Sequence, residues 1–319
     1  MRIAFVGKGG SGKTTLSALF VRELARRGRP VLAVDADINQ HLGAALGLGA
    51  AELDALTPMS VVLAEIKDHL RGSNPRIPAA AQMVKTTPPG AGSRLIRFAE
   101  RSPLDEWCTL ALGGELAGAR LMVTGAFAEQ DLGVSCYHSK VGAAELYLNH
   151  LIDGPGEYCV LDMTAGADAF ASGLFTRFDV TFLVAEPTVK SISVYRQYTE
   201  YAAEYGIPVR VVGNKVVDED DVAFLRAEAG PDLVGWLGDS AYIRALDRGR
   251  RPGFDSFETA GGELLGRMLA EVDATVRDHA RMTALAHLFH ERNALAWANR
   301  AAGADVALQI DPEFAVPVA

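Results

Sequence analysis

Nine residues near the start of the chain, Gly7-Lys8-Gly9-Gly10-Ser11-Gly12-Lys13-Thr14-Thr15, have the types and spacing that bind phosphate. Glycines let the backbone approach an anion closely and turn several N–H groups toward it. A helix starting directly behind them adds a partial positive charge of roughly half a unit. In such a loop Lys13 reaches the β and γ phosphates of a nucleotide, and the Thr14 hydroxyl binds Mg²⁺. Gly9, Gly10, Ser11, Gly12 and Thr15 complete the cradle. The pattern carries weight only between a strand and a helix. Both flanks are present, since the apolar run Ile3–Val6 precedes the loop and a helical pattern runs from Thr14 to about Arg27. The alternative is a glycine-rich turn without a ligand, and the combined context argues against it.

More polar residues fall where apolar runs stop. Val31–Ala36 reads as a buried strand and ends in Asp35-Ala36-Asp37, while Tyr158–Leu161 runs into Asp162. Two further strands end in Glu186-Pro187 and in Asn214-Lys215. Parallel sheets bind ligands at the carboxyl ends of their strands, which is where these residues lie. An acid in that position can equally cap the following helix, and an asparagine can simply serve a turn. Beside a phosphate loop, Asp35 is expected near the Mg²⁺ shell.

These residues need a scaffold, and the patterning indicates its class. Apolar runs alternate with helical segments, which predicts an α/β fold with a mostly parallel, twisted sheet and helices on both faces. A first domain is expected over residues 1–255, with an insertion at about 50–118. A helix is predicted from Pro58 to Leu70, and the Pro- and Gly-rich stretch from Arg71 to Gly92 reads as loop. Leu264, Leu265, Met268, Leu269 and Val272 recur at helical spacing, so residues 256–319 read as a C-terminal helical extension and tail. His287 and His290, three apart with Glu291 beside them, form a candidate metal pair, although such histidines are more often ordinary core or surface residues.

Composition bounds the function. Apolar residues make up 49% of the 319, which suits a well-cored globular protein. The net charge of −9 disfavours loose nucleic-acid binding, which depends on phosphate neutralisation. The arginines around Arg22–Arg29 and at Arg248, Arg250 and Arg251 read as solvated surface. No apolar stretch is long enough to span a bilayer, and no signal peptide is recognisable, so a cytoplasmic location is expected. Three widely spaced cysteines, Cys108, Cys136 and Cys159, do not suggest a disulfide framework.

Lys-Gly-Gly-x-Gly-Lys-Thr-Thr resembles the deviant Walker A loop of the MinD/ParA/ArsA class of P-loop ATPases, the SIMIBI class. The resemblance implies a homodimer closed over ATP, in which Lys8 crosses to the partner's nucleotide as an arginine finger would. It further implies that Asp37 orients the attacking water and that Asp162 holds Mg²⁺ as the Walker B acid. Asp162-Met163-Thr164-Ala165-Gly166 corresponds to the loop that senses the γ phosphate. Asn214 and Lys215 would lie against the adenine, with Glu186-Pro187 flanking it. Val216 and Val217 follow in place of a guanine-reading Asp, so ATP/ADP is expected.

Several stretches together resemble the CooC-type accessory ATPases for nickel insertion into carbon monoxide dehydrogenase. They include the loop, Val34–Asp37, Gly133-Val134-Ser135-Cys136-Tyr137-His138, Asp162–Gly166 and Val212–Val216, all within residues 1–250. The family pattern is Cys-x-Cys binding Ni²⁺ or Zn²⁺ between subunits, whereas here the second cysteine is His138. Two copies of Cys136 and His138 could form a four-coordinate Cys2His2 site. Alternatively, Cys136 is a small buried side chain and His138 only starts a helix.

The leading expectation is therefore a Mg-ATP-dependent dimeric switch that assists a client metalloenzyme. A MinD/ParA-like positioning ATPase and an ArsA-like client-binding ATPase without metal are the alternatives. The absence of a basic amphipathic tail speaks against a membrane partner.

Overall fold

The computed structural model describes residues 1–126, 138–166, 170 and 173–317 of the chain. In chain order the elements begin with β1 (Arg2–Val6), α1 (Lys13–Arg26), β2 (Val31–Ala36), α2 (Leu42–Ala45), α3 (Ala50–Ala55) and α4 (Leu63–Arg71). They continue with β3 (Ile96–Arg97), α5 (Leu104–Trp107), β4 (Leu110–Ala111), β5 (Ala119–Val123), α6 (His138–His150), β6 (Leu151–Ile152) and β7 (Tyr158–Met163). The second half holds β8 (Val180–Ala185), α7 (Val189–Glu204), β9 (Val209–Val216), α8 (Glu219–Ala229), β10 (Leu233–Gly238) and α9 (Ala241–Asp247). Helices α10 (Thr259–Ala274), α11 (His279–Asn293) and α12 (Asn299–Ala302) close the chain.

The main sheet has eight strands in the order β10-β9-β8-β1-β7-β2-β5-β4. Every pairing is parallel except that of β4 with β5. Strand β1 is central, and alternation of its side chains divides the core in two. Ile3 and Phe5 belong to the apolar cluster that α1 and α10 cover, with Leu16, Phe20, Leu264 and Met268. Ala4 and Val6 belong to the opposite cluster, with Val141, Tyr147, Ile192 and Tyr198 from α6 and α7. A sheet covered on both faces needs near-continuous apolar strands, and β1, β2, β7 and β8 are buried throughout. Phe5, Phe20 and Phe182 pack with ring centroids 5.5–6.0 Å apart directly behind the loop that follows β1. The α/β class and mostly parallel sheet read from the sequence are what the chain adopts.

The amino end of β1 is pinned by a buried ionic network. Arg2 donates to Asp153 at 2.8 Å, its amide donates to Asp179 at 2.7 Å, and Arg277 bridges both acids. The strand is thus fixed at the end opposite the glycine loop.

Two local expectations change. The helix predicted from Pro58 begins only at Leu63. The amides of Met59 and Ser60 are instead bound to the carbonyls of Val123 and Thr124 at the end of β5, and the Val61 amide closes a turn on the Pro58 carbonyl before the helix starts. The Arg71–Gly92 stretch is irregular, as expected, but it is packed: Met83, Thr86 and Thr87 are buried. Its partners come from the far end of the chain. Thr86 Oγ1 lies 2.9 Å from His290 Nδ1, Thr87 donates to Gln309, and the Ala91 amide donates to Asp311.

His290 is therefore a structural clip. Its Nε2 lies 2.8 Å from the Val306 carbonyl, so both ring nitrogens are occupied and the expected metal pair with His287 is not formed. Burial lowers the His290 pKa to about 4. The unfolded chain then binds more protons below about pH 6.5, so stability is full above that pH and falls as pH drops toward 4. At pH 5 the loss from His290 alone is about 2 kcal/mol. Replacing it by Gln should lower thermal stability at pH 7.5 but flatten the decline between pH 7.5 and 5; scanning calorimetry at both pH values checks this, and parallel curves would remove the assignment.

Candidate nucleotide site

The loop between β1 and α1 is shaped by three glycines with positive φ. Gly7 has φ +141°, and a Cβ there would lie 2.4 Å from the Val184 carbonyl oxygen. Gly12 adopts φ +97° as the residue before α1, and a Cβ would meet Asn214 Nδ2 at 2.1 Å. Neither position accepts a side chain without moving backbone or Asn214. Gly10 is also left-handed, but faces open space. No side chain caps α1, so its first amides remain directed at the loop.

Lys13 is only 6% exposed. Burial lowers its pKa, opposed by the nearby charges of Asp162 and Asp37. Thr14 donates to Asp162 Oδ2 at 2.6 Å. The other carboxylate oxygen, Oδ1, is buried and has no hydrogen-bond partner among the described residues. Burial foremost, then the neighbouring Asp35, raises the Asp162 pKa to about 8. A hydroxyl and an unpartnered carboxylate oxygen side by side form a hard-oxygen pair that suits Mg²⁺. The residues present fit that ion.

Asp35 stands beside Asp162 in register on the neighbouring strand. Both of its oxygens are taken, one by the Asp37 amide at 3.1 Å and one by the Leu42 amide at 2.8 Å. Asp35 thus shapes the turn that carries Asp37, and burial raises its own pKa to about 7. Asp37 accepts from the Asn39 amide and lies close enough to Lys13 to support its charge. The Gly166 amide donates to the Gly7 carbonyl at 3.0 Å, tying the loop after β7 to the glycine loop.

The ends of β8 and β9 close the other side. Asn214 donates to the Ser11 carbonyl at 2.7 Å. Lys215 donates to the Gly10 carbonyl at 2.7 Å and to Glu186 at 2.6 Å. Lys8 lies 3.7 Å from the other Glu186 oxygen. The glycine loop and the strand-end residues Asp35, Asp162, Glu186, Asn214 and Lys215 thus lie at one end of the sheet, whereas the cysteine–histidine pair lies outside the described side chains. Cys136 lies outside the described residues, and His138 opens α6 with its side chain also outside them. Among the described residues no group of three or more His, Cys, Asp or Glu is placed to hold a metal.

The sequence reading missed one wall. A cavity of about 500 Å³ opens beside Thr14 and Thr15 and is lined further by Arg22, His41, Arg250 and Arg251. Arg250 and Arg251 read as solvated surface from sequence, and the return of the chain after α9 brings them to this wall; Arg22, read the same way, lies in α1 and is buried, its guanidinium donating to the Leu46 carbonyl. Clustering of basic residues was the available signal.

A glycine loop joining the central strand of a parallel sheet to a helix, with a strand-end acid bound to its threonine, defines a P-loop nucleotide-binding protein. The chain belongs to the CobQ/CobB/MinD/ParA nucleotide binding domain family, whose model matches residues 3–295. It is 28% identical over 251 residues to the carbon monoxide dehydrogenase accessory protein CooC of Rhodospirillum rubrum, covering 78% of this chain and 87% of that one. It is 27% identical over 261 residues to an uncharacterized ATP-binding protein of Methanocaldococcus jannaschii, covering 80% and 92%. The fold is similar to the septum site-determining protein MinD of Pyrococcus horikoshii complexed with Mg-ADP. That likeness has a TM-score of 0.54 at 17% identity, over 86% of this chain and 96% of the other.

Replacing Lys13 by Met should weaken ATP binding by roughly 10- to 100-fold, the cost of one charged hydrogen-bonding group. Asp162→Asn should instead remove the enhancement of binding by Mg²⁺ and leave magnesium-free binding in place. Fluorescent-nucleotide titrations with and without Mg²⁺ separate the two, and an unchanged Mg²⁺ effect in Asp162→Asn would exclude the metal role.

Proposed function

We propose that the chain is a Mg-ATP-dependent dimeric switch that assists a client metalloenzyme, with nickel insertion as the reaction served. It is an ATP hydrolase. The observation that carries this reading is the contrast between two lysines of one loop. Lys13 is buried beneath it, whereas the Lys8 side chain is 38% exposed on its rim. A buried lysine serves the phosphates of its own chain. An exposed one in the same loop is available to a second subunit, where a cation supplied in trans neutralises charge developing on the transferred phosphoryl group.

Within one chain, Lys13 and the α1 amides would hold the phosphates, and Thr14 with Asp162 would hold Mg²⁺, which supplies charge neutralisation at the β and γ oxygens. Asp37, on the turn held by Asp35, is the residue to orient the attacking water. Asn214 and Lys215 would face the base, and Glu186-Pro187 would border it. The loop after β7 is hydrogen-bonded to Gly7, so loss of the γ phosphate would be felt there as well as near Asp37. Similarity to the accessory protein CooC supports the metal-linked role, with Cys136 and His138 as the residues to hold Ni²⁺ or Zn²⁺ between subunits. Nucleotide state and metal affinity would then be coupled reciprocally.

A second reading, a positioning ATPase of the MinD and ParA kind, draws on the fold likeness. The net charge of −9 weighs against its nucleic-acid form.

Lys8→Ala should leave nucleotide binding largely intact while abolishing the dependence of ATP turnover on protein concentration. Turnover equal to that of the unaltered chain would refute the role in trans. Metal analysis of the ATP-bound dimer should find about one Ni²⁺ or Zn²⁺ per dimer, as a two-subunit Cys2His2 site requires, and much less in Cys136→Ser or His138→Ala. Stoichiometry far below one in every nucleotide state would leave the positioning reading.

A further inference from the structure

Among the described residues, Glu186 is the one whose side chain reaches both exposed lysines of the site. Its carboxylate receives Lys215 at 2.6 Å on Oε1 and stands 3.7 Å from Lys8 on Oε2. We infer that Glu186 is a positioning residue that holds Lys8 within its own subunit, and so sets the protein concentration at which the ATP-bound dimer forms. The inference rests on the proposed action of Lys8 across the dimer.

The geometry around Glu186 supports a fixed post with movable partners. Its amide donates to Ser191 Oγ at 3.0 Å, and its carbonyl accepts from the Thr188 amide at 2.7 Å. Thr188 in turn caps α7 through the Ser191 amide. Pro187 follows, with its φ restricted by the ring. The side chain of Glu186 is only 15% exposed, against 38% for Lys8 and 57% for Lys215. The carboxylate is therefore held by the end of β8 and the start of α7, whereas Lys8 arrives from the glycine loop and Lys215 from the end of β9.

The two lysines are held unequally. Lys215 has φ +58°, one of two positive values outside glycine among the described residues. A lysine in that region is uncommon, and such conformations persist where the surroundings over-determine them. Here the twist directs Nζ at both Glu186 and the Gly10 carbonyl. Lys8 is different: both side chains are exposed, but its approach to Glu186 is 3.7 Å against 2.6 Å for Lys215. Exposed ion pairs contribute little and exchange partners readily. The arrangement thus leaves Lys215 in place and lets Lys8 leave when a stronger anion is offered. The phosphate of a partner's nucleotide is such an anion. Until then the same carboxylate keeps Lys8 from projecting toward the subunit face.

Removing the charge of Glu186 should release Lys8. With a saturating non-hydrolysable ATP analogue, Glu186→Gln should form dimer at roughly three- to tenfold lower protein concentration than the unaltered chain, the scale expected for two weak surface pairs per dimer. Lys215→Met should act in the opposite direction, because it leaves both Glu186 oxygens to Lys8. Sedimentation velocity or mass photometry over a concentration series reads both effects. A general structural disturbance would raise the threshold in both variants, and a threshold unmoved or raised in Glu186→Gln overturns the inference. Lys8→Ala and the double variant Lys8→Ala/Glu186→Gln complete the test. If Lys8→Ala stops dimer-dependent turnover while Glu186→Gln leaves the threshold alone, the role in trans stands and the tether falls. If Lys8→Ala changes neither threshold nor turnover, the role in trans falls and the tether with it. In the double variant the Glu186→Gln gain should vanish, since there is no Lys8 to release.

Discussion

The site depends on charges carried into the interior at the carboxyl ends of three adjacent strands. Asp162 and Asp35 are fully buried, and Lys13 nearly so. Burial penalises each charged form separately, which is why the two acids rise to about 8 and about 7 and the lysine moves down. None of these groups is stable as an isolated ion at that depth, so each constrains the others. Asp162 takes the Thr14 hydroxyl, Asp35 takes two amides, and Lys13 lies within the field of Asp162 and Asp37. The hydrophobic strands position these groups, and the cost of burying them makes the region receptive to a divalent cation and a polyphosphate together.

The network at the far end of β1 complements this. Arg2, Arg277, Asp153 and Asp179 are mutually satisfied with short hydrogen bonds. A buried pair with all its donors occupied is a fastening, because breaking it would strand a charge. The central strand is therefore held at its amino end by a saturated network and presents an unsaturated one at its carboxyl end. Phe5, Phe20 and Phe182 fill the space between. The loop can change its hydrogen bonds while the strand beneath it stays in register.

How much of this was legible depended on sequence distance. The glycine loop is contiguous, so its strand, turn and helix all show within some 25 residues, and the strand-end acids followed from apolar runs. The sheet class followed from the alternation of those runs. What did not show was anything whose reason lies far away. The turn through Met59 and Ser60 is tied down by the end of β5, and the packing of Thr86 and Thr87 is set by His290 and Gln309. Periodicity has no access to such pairings. The same holds for α10, whose apolar face was readable while its destination, the core shared with α1, was not. Arg250 and Arg251 looked like surface because they are surface, on the wall of a cavity that only the chain's return after α9 creates.

The charge balance around the loop bears on why a second subunit would be needed. Three lysines, Lys8, Lys13 and Lys215, stand against four carboxylates, Asp35, Asp37, Asp162 and Glu186. One lysine is wholly occupied by Glu186 and the Gly10 carbonyl, and another is buried under the loop. Mg²⁺ at Asp162 would favour its ionised form, and Mg-ATP is itself still net negative, so binding would add negative charge to the site. Bond rearrangement spreads further negative charge over the transferred group, and a cation brought to it by a second subunit would offset that charge. Protonating the acids would offset it too, but would disable the Mg²⁺ ligand. Lys8 sits on the rim of its own loop and only loosely on Glu186, so in the proposed dimer it is the cation that each chain would supply to the other. Two-fold pairing makes that exchange in both directions at once, and in an acidic protein it concentrates positive charge at the shared face without making the whole surface attractive to polyanions.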